Sequence, residues 1–311
     1  MNATQHTRLR MGLEFGLVWL MIHLLRLPPR AVARRMGAAM GWLAWVLLAR
    51  LRGVGMRNLE MAFPQKSVVQ REQILRQLYR TLGWQIAEFC QMPKYTVKST
   101  EKFIEYDGLE RYLAAKKRAQ ERKSGVLVVT GHLGAWELSS FYHSLRGYPM
   151  GMVIRRLDNP MVDALVNRIR CLHGNRVLHK DDFARALLGA MRAGETVGIL
   201  MDTNMTPPQG VFVPFFGIPA CTASGLARVA QKTDAVVLPG CLLWDAARKK
   251  YILHFGEEIE LIRTDDAEAD IIANTAQFTQ AIEGYVRRYP EQWLWVHRRW
   301  KTRPAGEPGL Y

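Results

Sequence analysis

Apolar and polar positions fall into two regimes along the chain. Up to about residue 93, apolar residues recur at helical spacing; from residue 125 on, short apolar, β-branched runs alternate with amphipathic stretches. The first regime opens with an apolar run at 11–25, between Arg10 and Arg26, and a second at 36–48, parted by Pro28-Pro29. Both predict helices. A third helix is predicted over 67–93, where Ile74, Leu75, Leu78, Leu82, Ile86 and Phe89 fall on one side. The second regime predicts strands at 125–130, 152–155, 196–201, 235–243 and 251–255, with an extended piece at 212–216. Between them come helices at 136–145, 159–172, 183–192, 222–231 and 269–288. Strand and helix alternating in this way predict an α/β fold, a mostly parallel sheet flanked by helices. The organisation expected is N-terminal helices over 1–60, an α/β domain over 61–303 and a loose tail rich in Pro and Gly over 304–311.

Charge changes the reading of the N-terminal helices. The chain carries a formal charge of +15, which favours polyanionic partners. Residues 1–60 hold nine arginines against Glu14 and Glu60, interleaved with apolar runs and with Trp19, Trp42 and Trp45. Nucleic-acid arms are basic and polar throughout, so the mixture points to a membrane surface and away from nucleic acid. The run at 11–25 covers about 22 Å as a helix, against about 30 Å of hydrocarbon. The expectation is therefore a helical pair that anchors on the membrane or partly enters it. The spacing Gly37-x-x-x-Gly41 allows a close helix contact there. Cys90, Cys171, Cys221 and Cys241 lie far apart, which fits a reducing compartment. Cys171, His173 and His179 match no standard metal spacing, and no metal or cofactor is expected.

The chemistry concentrates after the strand at 125–130, in Gly131-His132-Leu133-Gly134-Ala135-Trp136-Glu137. Ligands of open α/β sheets sit beyond the carboxyl ends of the strands, and His132 stands at such an end. Glu137 lies about 140° away on an ideal helix. The two meet only if His132 is on the loop and Glu137 in the first turn of the next helix. A carboxylate beside an imidazole fixes its tautomer and raises its basicity. Such a base takes the proton of a hydroxyl as it attacks an acyl thioester, which needs no protein nucleophile. No G-x-S-x-G, G-x-G-x-x-G or phosphate-binding P-loop is present.

These blocks together resemble the lipid A biosynthesis lauroyl/myristoyl acyltransferase family, within the wider lysophospholipid acyltransferase-like group. The likeness runs from about residue 10 to 303. It rests on Gly131-His132 to Glu137, on Arg155-Arg156-Leu157-Asp158-Asn159-Pro160, on 210–217 with Pro219 and Thr222, and on 290–300. The family often has Asp-Gln after the strand at 196–201, where this chain has Asp202-Thr203-Asn204. The resemblance implies an acyltransferase with His132 as general base and Glu137 orienting it. It implies that Arg155 meets a phosphate, a phosphopantetheine arm or the developing oxyanion, and that Asp202 orients Arg155 or the acceptor. Donor and acceptor would be an acyl-carrier-protein thioester and a hydroxyl of a lipid A precursor or related glycolipid, at the cytoplasmic face of the bacterial inner membrane. Another lipid acceptor, or an inactive membrane-surface binding protein, would share the same blocks. Phe212, Phe215 and Phe216 would line an acyl groove or pack in the core, and core packing is preferred; the aromatic and cationic cluster at 293–300 is an interfacial belt or a lid of the last helix against the sheet, and the structural reading is preferred.

Overall fold

The structure, a computed structural model, describes residues 3–179 and 183–311. Helices α1 (Ala3–Arg26) and α2 (Arg30–Leu47) form the expected pair, broken at Pro28-Pro29, with Pro29 at the N-cap of α2. Leu48 separates α2 from α3 (Ala49–Ala62), a helix that the hydrophobic pattern did not predict. The amphipathic stretch becomes α4 (Val68–Gln91), started by a capping box of Ser67 and Gln70. Gly37 and Gly41 do allow a close contact, but with α4: a methyl group on either would overlap the carbonyl oxygen of Gly83 or Tyr79. The helical pair is therefore seated on the rest of the fold through α4.

A seven-stranded sheet carries the site, in the order β1-β9-β8-β2-β5-β3-β4. Its strands are β1 (Ile104–Asp107), β2 (Val126–Thr130), β3 (Gly151–Ile154), β4 (Arg176–His179), β5 (Thr196–Leu200), β8 (Val236–Asp245) and β9 (Lys250–Phe255). Every pairing is parallel except β8 with β9. The central strands read as continuous apolar runs because helices cover both faces. These are α6 (Leu109–Glu121), α7 (Trp136–Leu145), α8 (Pro160–Arg170), α9 (Phe183–Arg192), α10 (Gly225–Thr233) and α11 (Ala267–Arg288). A short helix α5 (Val97–Thr100) precedes β1. The hairpin of β6 (Gly210–Phe215) and β7 (Ile218–Ala223) stands apart from the main sheet. Thr222 and Ala223, expected in a helix, end β7, and the helix starts after Ser224.

Phe215, Trp293, Trp295 and Trp300 are buried in the core beside Arg299, as the core reading had it. Leu310 and Tyr311 return to α3, through Arg57 to the Leu310 carbonyl (3.1 Å) and the Tyr311 hydroxyl to Asn58 (2.5 Å). Among the described residues no helix is long and apolar enough to cross a membrane. Even so, α1 leaves Leu13 70% and Leu17 69% exposed, and Leu9, Leu20, Leu24 and Leu27 extend the same bare stripe.

Candidate active site at the ends of strands β2 and β5

Register alone brings two distant residues together. In the parallel pairing of β2 with β5, Thr130 stands opposite Leu200. His132 and Asp202 each follow two residues later, so they leave the sheet side by side. Asp202 is buried and accepts three hydrogen bonds. Its Oδ1 takes the His132 Nδ1 proton at 2.8 Å. Its Oδ2 takes the His132 backbone N–H at 2.7 Å and the Trp293 indole N–H at 2.8 Å. Gly131 has no side chain because a Cβ there would come within 2.9 Å of the Asp202 carboxyl.

The loop bearing His132 is held from three sides. The His132 carbonyl accepts from Leu294 N–H at 3.1 Å, Gly134 N–H donates to the Gln292 carbonyl at 2.9 Å, and Ala135 N–H donates to the Leu242 carbonyl at 2.8 Å. Gln292 in turn bonds the backbone of Trp244 on β8 through both ends of its amide, at 2.8 and 2.9 Å. The imidazole is thus fixed by backbone contacts as well as by Asp202. With Nδ1–H committed to the carboxylate, Nε2 is the unprotonated nitrogen of the neutral ring. Nε2 has no hydrogen-bond partner among the described residues.

Glu137 lies in the first turn of α7, as expected, but its carboxylate faces Arg170 at the end of α8. Arg170 Nε donates to Oε2 at 2.8 Å, and a second guanidinium nitrogen donates to Oε1. The hydrogen-bonding partner of His132 is therefore Asp202, and Glu137 acts on the ring only through its charge. Burial pushes the His132 pKa down, yet Asp202, and Glu137 behind it, hold the pKa above its ordinary value. Burial alone would raise Asp202; its contact with His132 keeps it below the usual carboxylate range.

Arg155 does not meet Asp202. Its side chain is exposed and pairs with Asp158 at 2.8 Å, so Asp202 orients His132 and not Arg155. The Asn204 amide is also occupied: it bonds Thr302 in both directions at 2.9 Å, and Asn204 N–H donates to His297 Nε2 at 2.9 Å.

His132 opens onto a groove of about 640 Å³. Trp136, Val153, Ile154, Ile199 and Met201 give it apolar walls, and Arg155 is at its rim. Behind the Glu137–Arg170 pair lies a smaller cavity of about 60 Å³, bounded by Met150, Met152, Gly198 and Gly240.

Three participants were missed in the sequence. Arg170 carries no signal of its own, and Trp293 was singled out only as part of the cluster at 293–300. Arg299 was read as part of a packing cluster. It is fully buried, donates to the Thr203 and Cys221 carbonyls and to the Thr222 hydroxyl, and has no carboxylate partner among the described residues. Burial pushes it down to about 10. It stays cationic at neutral pH and helps to keep nearby Asp202 ionised.

Comparison with known proteins bears on the family of the chain. A family described as bacterial lipid A biosynthesis acyltransferases matches residues 3–302. The chain is 30% identical over 297 residues to the lipid A biosynthesis palmitoleoyltransferase of Escherichia coli K12, covering 95% of this chain and 92% of that protein. It is 28% identical over 300 residues to the lipid A biosynthesis lauroyltransferase of the same organism, covering 96% and 94%. The lipid A biosynthesis myristoyltransferase of that organism is 24% identical over 250 residues, covering 80% and 75%. The chain belongs to the bacterial lipid A biosynthesis acyltransferase family, and it is an acyltransferase.

Proposed function

We propose that this protein moves a fatty acyl chain from an acyl-carrier-protein thioester to a hydroxyl of a lipid A precursor or related glycolipid, with His132 as the general base. The observation that carries the reading is the His132 ring, fixed through Nδ1 on buried Asp202 with Nε2 unpartnered at the mouth of an apolar groove. The acceptor hydroxyl oxygen attacks the thioester carbon as Nε2 takes its proton. The C–S bond then breaks, and the imidazolium returns the proton to the leaving thiolate. Asp202 holds the tautomer and stabilises the imidazolium. Glu137 adds negative charge nearby, and Arg170 keeps that charge in place. The acyl chain lies along the groove, and Arg155 at the rim meets the anionic surface or the phosphopantetheine arm of the carrier.

The stripe of exposed leucines on α1 and the arginines around it support a seat on an anionic membrane surface, at the cytoplasmic face of the bacterial inner membrane. All four cysteines are unpaired, which fits that side. The test is His132→Ala assayed with the acyl-carrier donor and the lipid acceptor. Transfer is expected to vanish with the melting temperature unchanged, and near-normal transfer overturns the assignment.

A further inference from the structure

A further cavity, of about 510 Å³, lies on the other side of the segment that follows Asp202. Val54 of α3 and Val296 form its apolar part; Arg50, Arg298, Lys301, His297 and Asn204 form its polar part. We propose that this cavity is a binding site for a lipid-borne phosphate, the group that positions the acceptor for His132.

Four observations carry the proposal. First, no carboxylate lines the cavity, and Arg50, Arg298 and Lys301 form no ion pair among the described residues. Three unneutralised cations around one cavity are a repulsive arrangement that an anion relieves. Second, His297 Nε2 accepts the Asn204 N–H, which leaves the ring proton on Nδ1. Burial holds this imidazole below its ordinary pKa, so it remains neutral and offers that N–H as a donor. Third, the cavity borders an exposed apolar band at the end of α2 and the start of α3, made by Trp42 (65% exposed), Leu43, Leu47, Leu48 and Leu51. Cations beside such a band stand at the level of lipid headgroups. That contiguity selects a lipid-borne phosphate over one on a soluble carrier. Fourth, Thr203 and Met205 line the acyl groove while Asn204 between them lines this cavity, so the two spaces share a single backbone segment as their wall. A phosphate held on one side leaves the rest of the lipid headgroup within reach of His132 on the other.

The inference rests on the proposed acyl transfer only for its kinetic arm, and the binding arm stands without it. In the binding arm, the full-length protein is sedimented with phosphatidylcholine vesicles containing phosphatidic acid or, at matched charge, phosphatidylglycerol. A phosphate monoester offers more charge and more acceptor oxygens to the clustered donors than a diester does. The wild type is expected to favour phosphatidic acid. Arg298→Gln/Lys301→Gln should lose about tenfold in affinity for those vesicles. The charge-matched control Lys98→Gln/Lys117→Gln, which alters exposed lysines of α5 and α6, should keep the wild-type preference. Equal losses in both double variants would show only the overall field of the protein and overturn the site. In the kinetic arm, the same Arg298 and Lys301 variant should raise the acceptor KM about tenfold with kcat and the donor KM unchanged. A rise in donor KM instead would place the carrier's phosphate there and overturn the lipid assignment. Absence of transfer by the wild type would count against the acyl-transfer reading alone.

Discussion

Replacing Asp202 by Asn tests the centre of the mechanism with almost no change in shape. Asp202 faces three donors: the His132 backbone N–H and the Trp293 indole N–H on Oδ2, and the His132 Nδ1–H on Oδ1. Asparagine has one acceptor oxygen and one amine. The oxygen keeps the Oδ2 position, where it satisfies two donors, so the amine must face His132 Nδ1. That forces Nδ1 to accept, moves the ring proton to Nε2, and removes the base from the groove side. The variant also loses the carboxylate that stabilises the imidazolium. A hydrogen bond to a charged group is worth about 2 kcal/mol. Two such losses in the transition state amount to about 4 kcal/mol, or roughly a thousandfold in kcat. The measurement is single-turnover acyl transfer by mass spectrometry, with the fold checked by thermal melting. A folded Asp202→Asn variant within tenfold of wild type would refute Asp202 as the orienting group.

Glu137→Gln should behave differently, because it removes charge without touching the tautomer. With one nearby anion gone, the His132 imidazolium is less favoured and its pKa falls. The acid limb of kcat/KM, set above the ordinary histidine value in the wild type, should move to lower pH; an unmoved limb would show that Glu137 does not act on His132. Gly198→Val should shorten the acyl chain accepted, since a Cβ at 198 already comes within 2.8 Å of Met150 Cε beside the small cavity. Each displaced methylene should cost about 0.8 kcal/mol, roughly fourfold in relative kcat/KM between donors of different length, and an unchanged donor profile would show that the acyl chain does not reach Gly198. Leu13→Glu/Leu17→Glu, on the exposed stripe of α1, should weaken binding to anionic vesicles about a hundredfold without lowering the melting temperature. Retained vesicle binding would mean that α1 is not the membrane face.

What was legible in the sequence was local. The run at 126–130 announces β2 because both its faces are covered, and the glycine-flanked His132 follows it. Helix α6 escaped the pattern because its buried face is made of Tyr112, Ala115 and Ala119, too small a stripe to stand out in a polar segment. Edge strands β1 and β4, at four residues each, are shorter than a periodicity can mark. The misassigned partner of His132 has the same origin. Glu137 is its neighbour in sequence, whereas Asp202 becomes its neighbour only through the parallel register of β2 and β5. Arg170, which claims Glu137, arrives from the end of a helix whose packing against α7 the sequence does not state.

The clamp on the His132 loop has a consequence for synthesis. Strands β2 and β5, and with them the groove, are made well before residues 290–302 leave the ribosome. Until then Asp202 lacks the Trp293 indole, and the His132 carbonyl lacks Leu294. The apolar stripe of α1 is made before β2 and β5, and the segment that clamps the His132 loop after them. A growing chain therefore carries its greasy face before the His132 loop is clamped, and the loop reaches its final geometry only once residues 290–302 have folded onto it.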